Sequence, residues 1–237
     1  MGEKREGLIS FFKFECNICK HICTIKSENT HDTEKINLNI AAITGIIASG
    51  IGNSQFEELC SAIDVPVFTP NTYTKYQDQV LKKWEQTASS SMAAAAEKEK
   101  EIAIEEGRTK GGFPVIDVLF DGSWCARSYG SNYKALSGTA AVIGRKTGRI
   151  LYIGVKNKYC LGCARAENNN ISPKEHKCFK NYEGSSTSME NEIIVEGFKS
   201  SISSYGLGDG DASTYAKILQ ARLYAEKNVI VEKIECQ

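Results

Sequence analysis

Several things this 237-residue chain lacks narrow what it can be. It carries no net charge: 29 lysines and arginines balance 29 aspartates and glutamates. No global positive field therefore marks a nucleic-acid partner, and any such claim must rest on local features. No stretch is apolar and long enough to span a bilayer, so no membrane association is expected. The opening, MGEKREGLISFFKFEC, lacks the apolar run and small-residue cleavage site of a signal peptide, which points to an intracellular protein, nuclear or cytoplasmic, and not a secreted one. What remains is an ordinary globular composition, 41% hydrophobic and 24% charged, sufficient for a buried core in one large domain or two small ones. Cysteine is the residue in excess. Nine of them would suggest disulfides outside the cell, but in a reducing compartment close pairs such as Cys16/Cys19 and Cys160/Cys163 suggest metal thiolates.

The chain reads as three regions. Residues 1–30 are cysteine-rich with little helical periodicity, a partial zinc knuckle or loose arm. Residues 31–110 are helical. Ile36, Ile40, Ile43 and Ile47 recur at helical spacing before a stop at Gly50 and Gly52, and a second helix carries Phe56, Leu59 and Ile63 up to Pro66. A third opens at Asn71 or Thr72 with Tyr73, Tyr76, Val80 and Trp84 on one face, and Ala93–Glu106 makes a further one. The first three are compatible with a helix-turn-helix unit and equally with a helical cap. Residues 111–237 change period. Val115–Phe120 is a buried-strand pattern ending at Asp121-Gly122, Leu136–Ile143 and Ile150–Val155 complete an antiparallel meander, and an insert occupies 157–186. Thr187 and Glu190 have capping-box spacing before a helix with Ile194, Phe198 and Ile202. A short strand, Tyr205–Leu207, leads to Asp209, followed by a helix capped at Ser213 and a strand from Val229 to Ile234. The expected class is α/β in the mixed, α+β sense.

Two sets of residues suit chemistry. Phosphodiester cleavage with two divalent ions needs carboxylates that converge on metals about 3.5–4 Å apart, and aspartates at strand ends suit that task. Asp121 and Asp209 hold such positions, with Asp117 and Asp211 as local competitors; an aspartate before glycine is otherwise a plain turn former. Asp209-x-Asp211-x-Ser213 also opens like a calcium loop, but Thr214 and Gln220 stand where glycine and glutamate are required, which excludes an EF-hand. Cys160-x2-Cys163 followed by His176-x-Cys178 supplies three thiolates and an imidazole, a tetrahedral structural zinc set, against the alternative of free thiols. Cys16, Cys19, His21 and Cys23 are crowded donors, of which Cys16 and Cys19 resemble half a knuckle. Arg145, Lys146, Arg149, Lys156 and Lys158 form a basic stretch on the hairpin, with Arg145, Lys146 and Arg149 at its turn, that either touches phosphates or is simply solvated.

The order of DGSW at Asp121, SGTAAVIGRKTGRILY, the C-x2-C and H-x-C insert, Asn181 with GSS, Met189-Glu190, GDGDAS-x-Y and VEKIEC resembles the Mutator-like transposase domain. The likeness extends back through Asn37, the GIG at Gly50, Pro66, Tyr73 and the four alanines before Glu97, covering most of the chain. It implies an RNase H-like mixed sheet with a zinc-binding insert, preceded by a small helical region. It also implies an Asp, Asp, Glu site with Mg2+ or Mn2+ in which Asp121 comes first and Asp209 second. DNA, at transposon ends, is the implied partner, with a homo-oligomer possible. The third carboxylate has no secure counterpart, Glu190, Glu232 and Glu235 being poor substitutes by spacing, and the C-x-x-H element that should follow Cys236 is not reached. The expectation is thus an incomplete strand-cutting and strand-transferring core, with some apolar surface uncovered. The alternative is a non-catalytic, zinc-stabilised DNA- or protein-binding module derived from a transposable element.

Overall fold

A computed structural model describes residues 2–28, 37–110, 112–125, 135–204 and 207–209. The chain divides into two compact units, Met1–Ala88 and Ser89–Gln237. The predicted helix at Ser213, the strand at Val229, and Asp211, Glu232 and Glu235 lie outside the described residues.

The first unit opens with a sheet, not with a loose arm. Strands β1 (Gly2–Glu6), β2 (Ile9–Glu15) and β3 (Ile22–Lys26) pair antiparallel in that order. Gly7 makes the first turn at φ +64°, and a Cβ there would lie 2.6 Å from the Asn39 side-chain oxygen, so both backbone and packing require glycine. That close approach is the docking point of helix α1 (Leu38–Ala48). Buried Asn39 accepts the Leu8 N–H at 2.9 Å and donates to the Glu6 carbonyl at 2.8 Å, satisfying the turn's backbone groups. Asn37 caps α1 through the N–H groups of Asn39 and Ile40. Helix α2 (Asn53–Ala62) follows the glycine stop; it carries Glu57 and Glu58 and no basic side chain, a poor charge pattern for an element lying among phosphates. The unit's core is Ile43, Ile46, Phe68, Tyr73, Tyr76 and Val80.

The two helices expected at Tyr73 and Ala93 are one, α3 (Pro70–Glu105), 36 residues long. Neither glycine nor proline occurs between its first residue and Gly107, so nothing in the covalent chain stops it. Its residues from Ser89 onward belong to the second unit, where a sheet is built from β4 (Thr109–Lys110), β5 (Phe113–Trp124), β6 (Ser137–Gly144), β7 (Ile150–Asn157) and β8 (Leu207–Asp209). Strands β5, β6 and β7 form the predicted antiparallel meander, and β8 lies parallel to β5 on its other edge. Helix α5 (Met189–Ser204) makes the connection from the β7 side to β8. Burial alternates along β6 with period two, the mark of a sheet covered on one face. That face packs Ile116, Val118, Ala140, Val142 and Leu151 against Ile193, Ile194 and Phe198 of α5 and Ala95, Ala96 and Ala103 of α3. Each large side chain fully buried there contributes about 1.5–3 kcal/mol. On the opposite face Leu119, Ile153 and Val155 are exposed.

Candidate functional site

The best-formed group of donors lies in the insert that follows β7. Cys160 is the N-cap residue of a short helix, α4 (Leu161–Asn168), which also carries Cys163; the chain then returns with His176 and Cys178. One donor atom from each of the four lies within 4.8 Å of every other. The His176 Nε2 is 3.2 Å from the Cys160 sulfur and 3.5 Å from that of Cys163, and the Cys163 and Cys178 sulfurs are 3.6 Å apart. A tetrahedral zinc ion with ordinary Zn–S and Zn–N bonds sets donor–donor edges of about 3.5–3.8 Å, within a few tenths of an ångström of these values. His176 Nδ1 donates to the Lys174 carbonyl at 2.7 Å, which leaves the Nε2 lone pair for a metal. The four residues could therefore hold a metal ion such as zinc. Asn181 anchors the exit of the insert: its amide accepts from the Asn157 N–H at 2.6 Å and donates to the Val155 carbonyl at 2.9 Å.

Without an ion the donors share protons unequally. The Cys160 thiol is lowered to about 6, chiefly by the backbone N–H groups of Cys163 and Phe179. The Cys163 thiol is pushed up to about 11, first by its hydrogen bond with Cys178. The Lys174 carbonyl, followed by the Cys160 sulfur, raises His176 to about 9.

The other cysteine pair is less complete. Cys16 and Cys19 are both exposed in the β2–β3 turn, where Cys16 N–H donates to the His21 carbonyl and Lys20 takes φ +57°. Backbone N–H groups of Cys19 and Ile18 lower the Cys16 thiol, as they would support a bound thiolate. Among the described residues only the Cys160 group gathers three or more donors, so His21 and Cys23 do not join this pair into one centre.

The aspartates are arranged differently from the expectation. Asp121 is exposed and lies within β5, not at its end, pairing in register with Ala141. Asp209 is the last residue of β8, two residues beyond the strand expected from the sequence, and its register partner is Asp117. Asp121 thus lies four positions further along; at about 3.3 Å per residue, that is a separation of roughly 13 Å along the strands. The described backbone does not bring Asp121 and Asp209 to one level. Asp117 forms an ion pair with Arg108 at 3.1 Å.

Glu190, set aside on spacing, is the carboxylate found beside Asp121's position. It stands in the first turn of α5, and a Cβ added at Gly122 would lie 2.6 Å from its carboxyl carbon. Burial, followed by the charge of Asp121, raises its pKa. The only sequence sign was its place in the first helical turn after the meander, which capping-box spacing explained more simply.

The basic turn joins β6 to β7. Arg145 and Arg149 are exposed, whereas Lys146 pairs with Glu106 at 2.7 Å. Buried Glu99 on α3 accepts the Thr147 N–H at 2.7 Å and fixes the turn.

These features define an α/β protein with a Cys3His cluster inserted after a three-stranded meander. The family described as Mutator-like transposase matches residues 1–237, and the chain belongs to that family. No curated protein and no solved structure matches it. Among the described residues no helix is long and apolar enough to cross a membrane.

Proposed function

We propose that this chain is the DNA-cutting and strand-transfer core of a Mutator-like transposase, on an RNase H-like fold, with Asp121 as the first of its metal-holding carboxylates. One observation carries the reading: a strand bearing Asp121 starts an antiparallel meander, and a helical crossover returns the chain to a parallel strand beside it that ends in aspartate. Transposon DNA is the partner that family membership supports, and a nuclear location and self-association go with that reading.

Strand β8 runs parallel to β5 and ends at Asp209. Asp209 is the second carboxylate, with Asp211 its local competitor, and Glu190 is the third. Mg2+ or Mn2+ held there would activate the attacking oxygen and stabilise the leaving one. The chain's own contribution is electrostatic. Asp121 is open to a substrate phosphate, and its negative charge adds to burial in raising the pKa of Glu190, so a cation bound near them would favour both in the ionised form. Zinc in the Cys160, Cys163, His176 and Cys178 group has a structural role.

A second reading, a zinc-stabilised binding module without catalysis, is favoured by one fact: the aspartate in register with Asp209 is already paired with Arg108. Calorimetric titration of Mn2+ into the zinc-saturated chain separates the two. The catalytic reading expects binding that is lost in Asp121→Asn and in either Asp209→Asn or Asp211→Asn, and weakened in Glu190→Gln. Binding indifferent to Asp121, or no binding, favours the module.

A further inference from the structure

The metal-type insert presents a surface that its structural role does not explain. Lys158-Tyr159-Cys160 enters it and Lys177-Cys178-Phe179-Lys180 leaves it. The Phe179 N–H is directed at the Cys160 sulfur, so the two strips run side by side. Their aromatic rings point outward, Tyr159 being 42% and Phe179 60% exposed. Each ring follows or precedes a metal-type donor, so its backbone is held firmly while its side chain stays in solvent. The Lys177 ammonium lies 5.7 Å from the centre of the Phe179 ring. Lys180 has Glu183 at 3.2 Å, but that carboxylate is 84% exposed and such a pair is weak. Between residues 157 and 183 five cations meet three carboxylates, a local positive excess in a chain with none overall.

Position adds to the argument. Strands β5 and β7 are parallel, both antiparallel to β6, and the insert leaves the C-terminal end of β7. It therefore lies toward the same end of the sheet as the last residues of β5, beyond Asp121, whereas the Arg145–Arg149 turn lies at the other end. Exposed rings among cations bind unpaired nucleotides well, because every base has a face to stack while the cations follow the backbone. Bases stacked in a duplex offer no such face.

We propose that Tyr159 and Phe179, with Lys158, Lys177 and Lys180, form a stacking platform for unpaired nucleotides of single-stranded nucleic acid. The platform deepens the transposase reading by giving opened DNA a seat beside the carboxylates, and it rests on the insert being held by a metal.

The test is fluorescence anisotropy with the zinc-loaded full chain and labelled oligo(dT) of about 12 nucleotides, within the site sizes of such grooves, against a duplex of equal length. Oligo(dT) should bind more tightly than the duplex. Tyr159→Ala and Phe179→Leu should each weaken it roughly 5- to 100-fold, while Tyr159→Phe and Phe179→Tyr retain binding. Lys177→Gln should lower the salt slope by about 0.7. The visible spectrum of the cobalt-loaded variants checks that the metal centre is intact, separating loss of the insert from loss of the platform. The anisotropy is read without Mg2+ or Mn2+, so failure of the carboxylate reading, which shows only in the Mn2+ titration, leaves a distinct signature. Ring-removing variants that bind normally, a preference for duplex, or binding of no nucleic acid by a chain with an intact cobalt spectrum would each overturn the proposal.

Discussion

Metal affinity at the Cys160 cluster should depend steeply on pH, with a slope set by the proton inventory of its donors. A metal ion takes cysteine as thiolate and histidine as neutral imidazole. With Cys160 at about 6, it is already largely thiolate at neutral pH. His176, at about 9, and Cys163, at about 11, both still hold protons there. Binding near pH 7 must therefore expel at least these two protons, and proton release means affinity rises with pH. The apparent constant should climb at least about a hundredfold per pH unit between roughly 6.5 and 8.5, then flatten by about tenfold per unit once His176 has titrated. Cobalt(II) absorbance in competition with a chelator of known proton linkage, under reducing conditions, measures this directly. His176→Ala should weaken binding and also lower the slope by about one power of ten per pH unit. An affinity flat across pH 6.5 to 8.5, or a slope unchanged in His176→Ala, would refute the assignment of donors and protons.

Other outcomes follow from the packing and the carboxylates. Phe198 is 1% exposed, with its ring 5.5 Å from that of Phe120, so Phe198→Ala should destabilise the second unit by about 3–5 kcal/mol, read as a lower denaturant midpoint. Glu190's raised pKa means the folded state holds that proton more tightly than the unfolded one. Its contribution to stability is therefore fullest below the ordinary value of 4.5 and is lost as pH rises through the folded pKa. Asp121→Asn removes part of the cause, so carbon NMR titration should find Glu190 shifted downward, and an unmoved value would mean the two do not interact. If the β6–β7 turn meets phosphates, Arg145→Gln with Arg149→Gln should reduce the duplex-binding salt slope by about 1.8, measured from affinities across a salt series.

Much of the second unit was legible because its signals are local. Val115–Phe120, Leu136–Ile143 and Ile150–Val155 announced three strands, and all three are present in antiparallel order. The helix bearing Ile194 and Phe198 was equally plain, since the same spacing that suggests it buries both residues in the core. The N-terminal sheet was missed because the run Phe11, Phe12 and Phe14 blurs the period-two alternation, while the cysteines drew the eye to a turn. The continuity of α3 was missed for the opposite reason: a change from amphipathic to alanine-rich sequence resembles a boundary, but only glycine, proline or competing contacts end a helix.

Alone, the sequence determined which residues can serve as ligands. Cys160, Cys163, His176 and Cys178 are close along the chain, so short-range geometry leaves few ways for their donors to avoid each other. Tertiary structure decided how the carboxylates group. That Asp209 stands opposite Asp117, and that Glu190 lies over Gly122, depends on strand register and on how a helix packs across a sheet. Register is set by hydrogen bonds and buried faces contributed by segments some ninety residues apart, and one step of slippage would move every side chain to the other face. No spacing within a single segment records that choice.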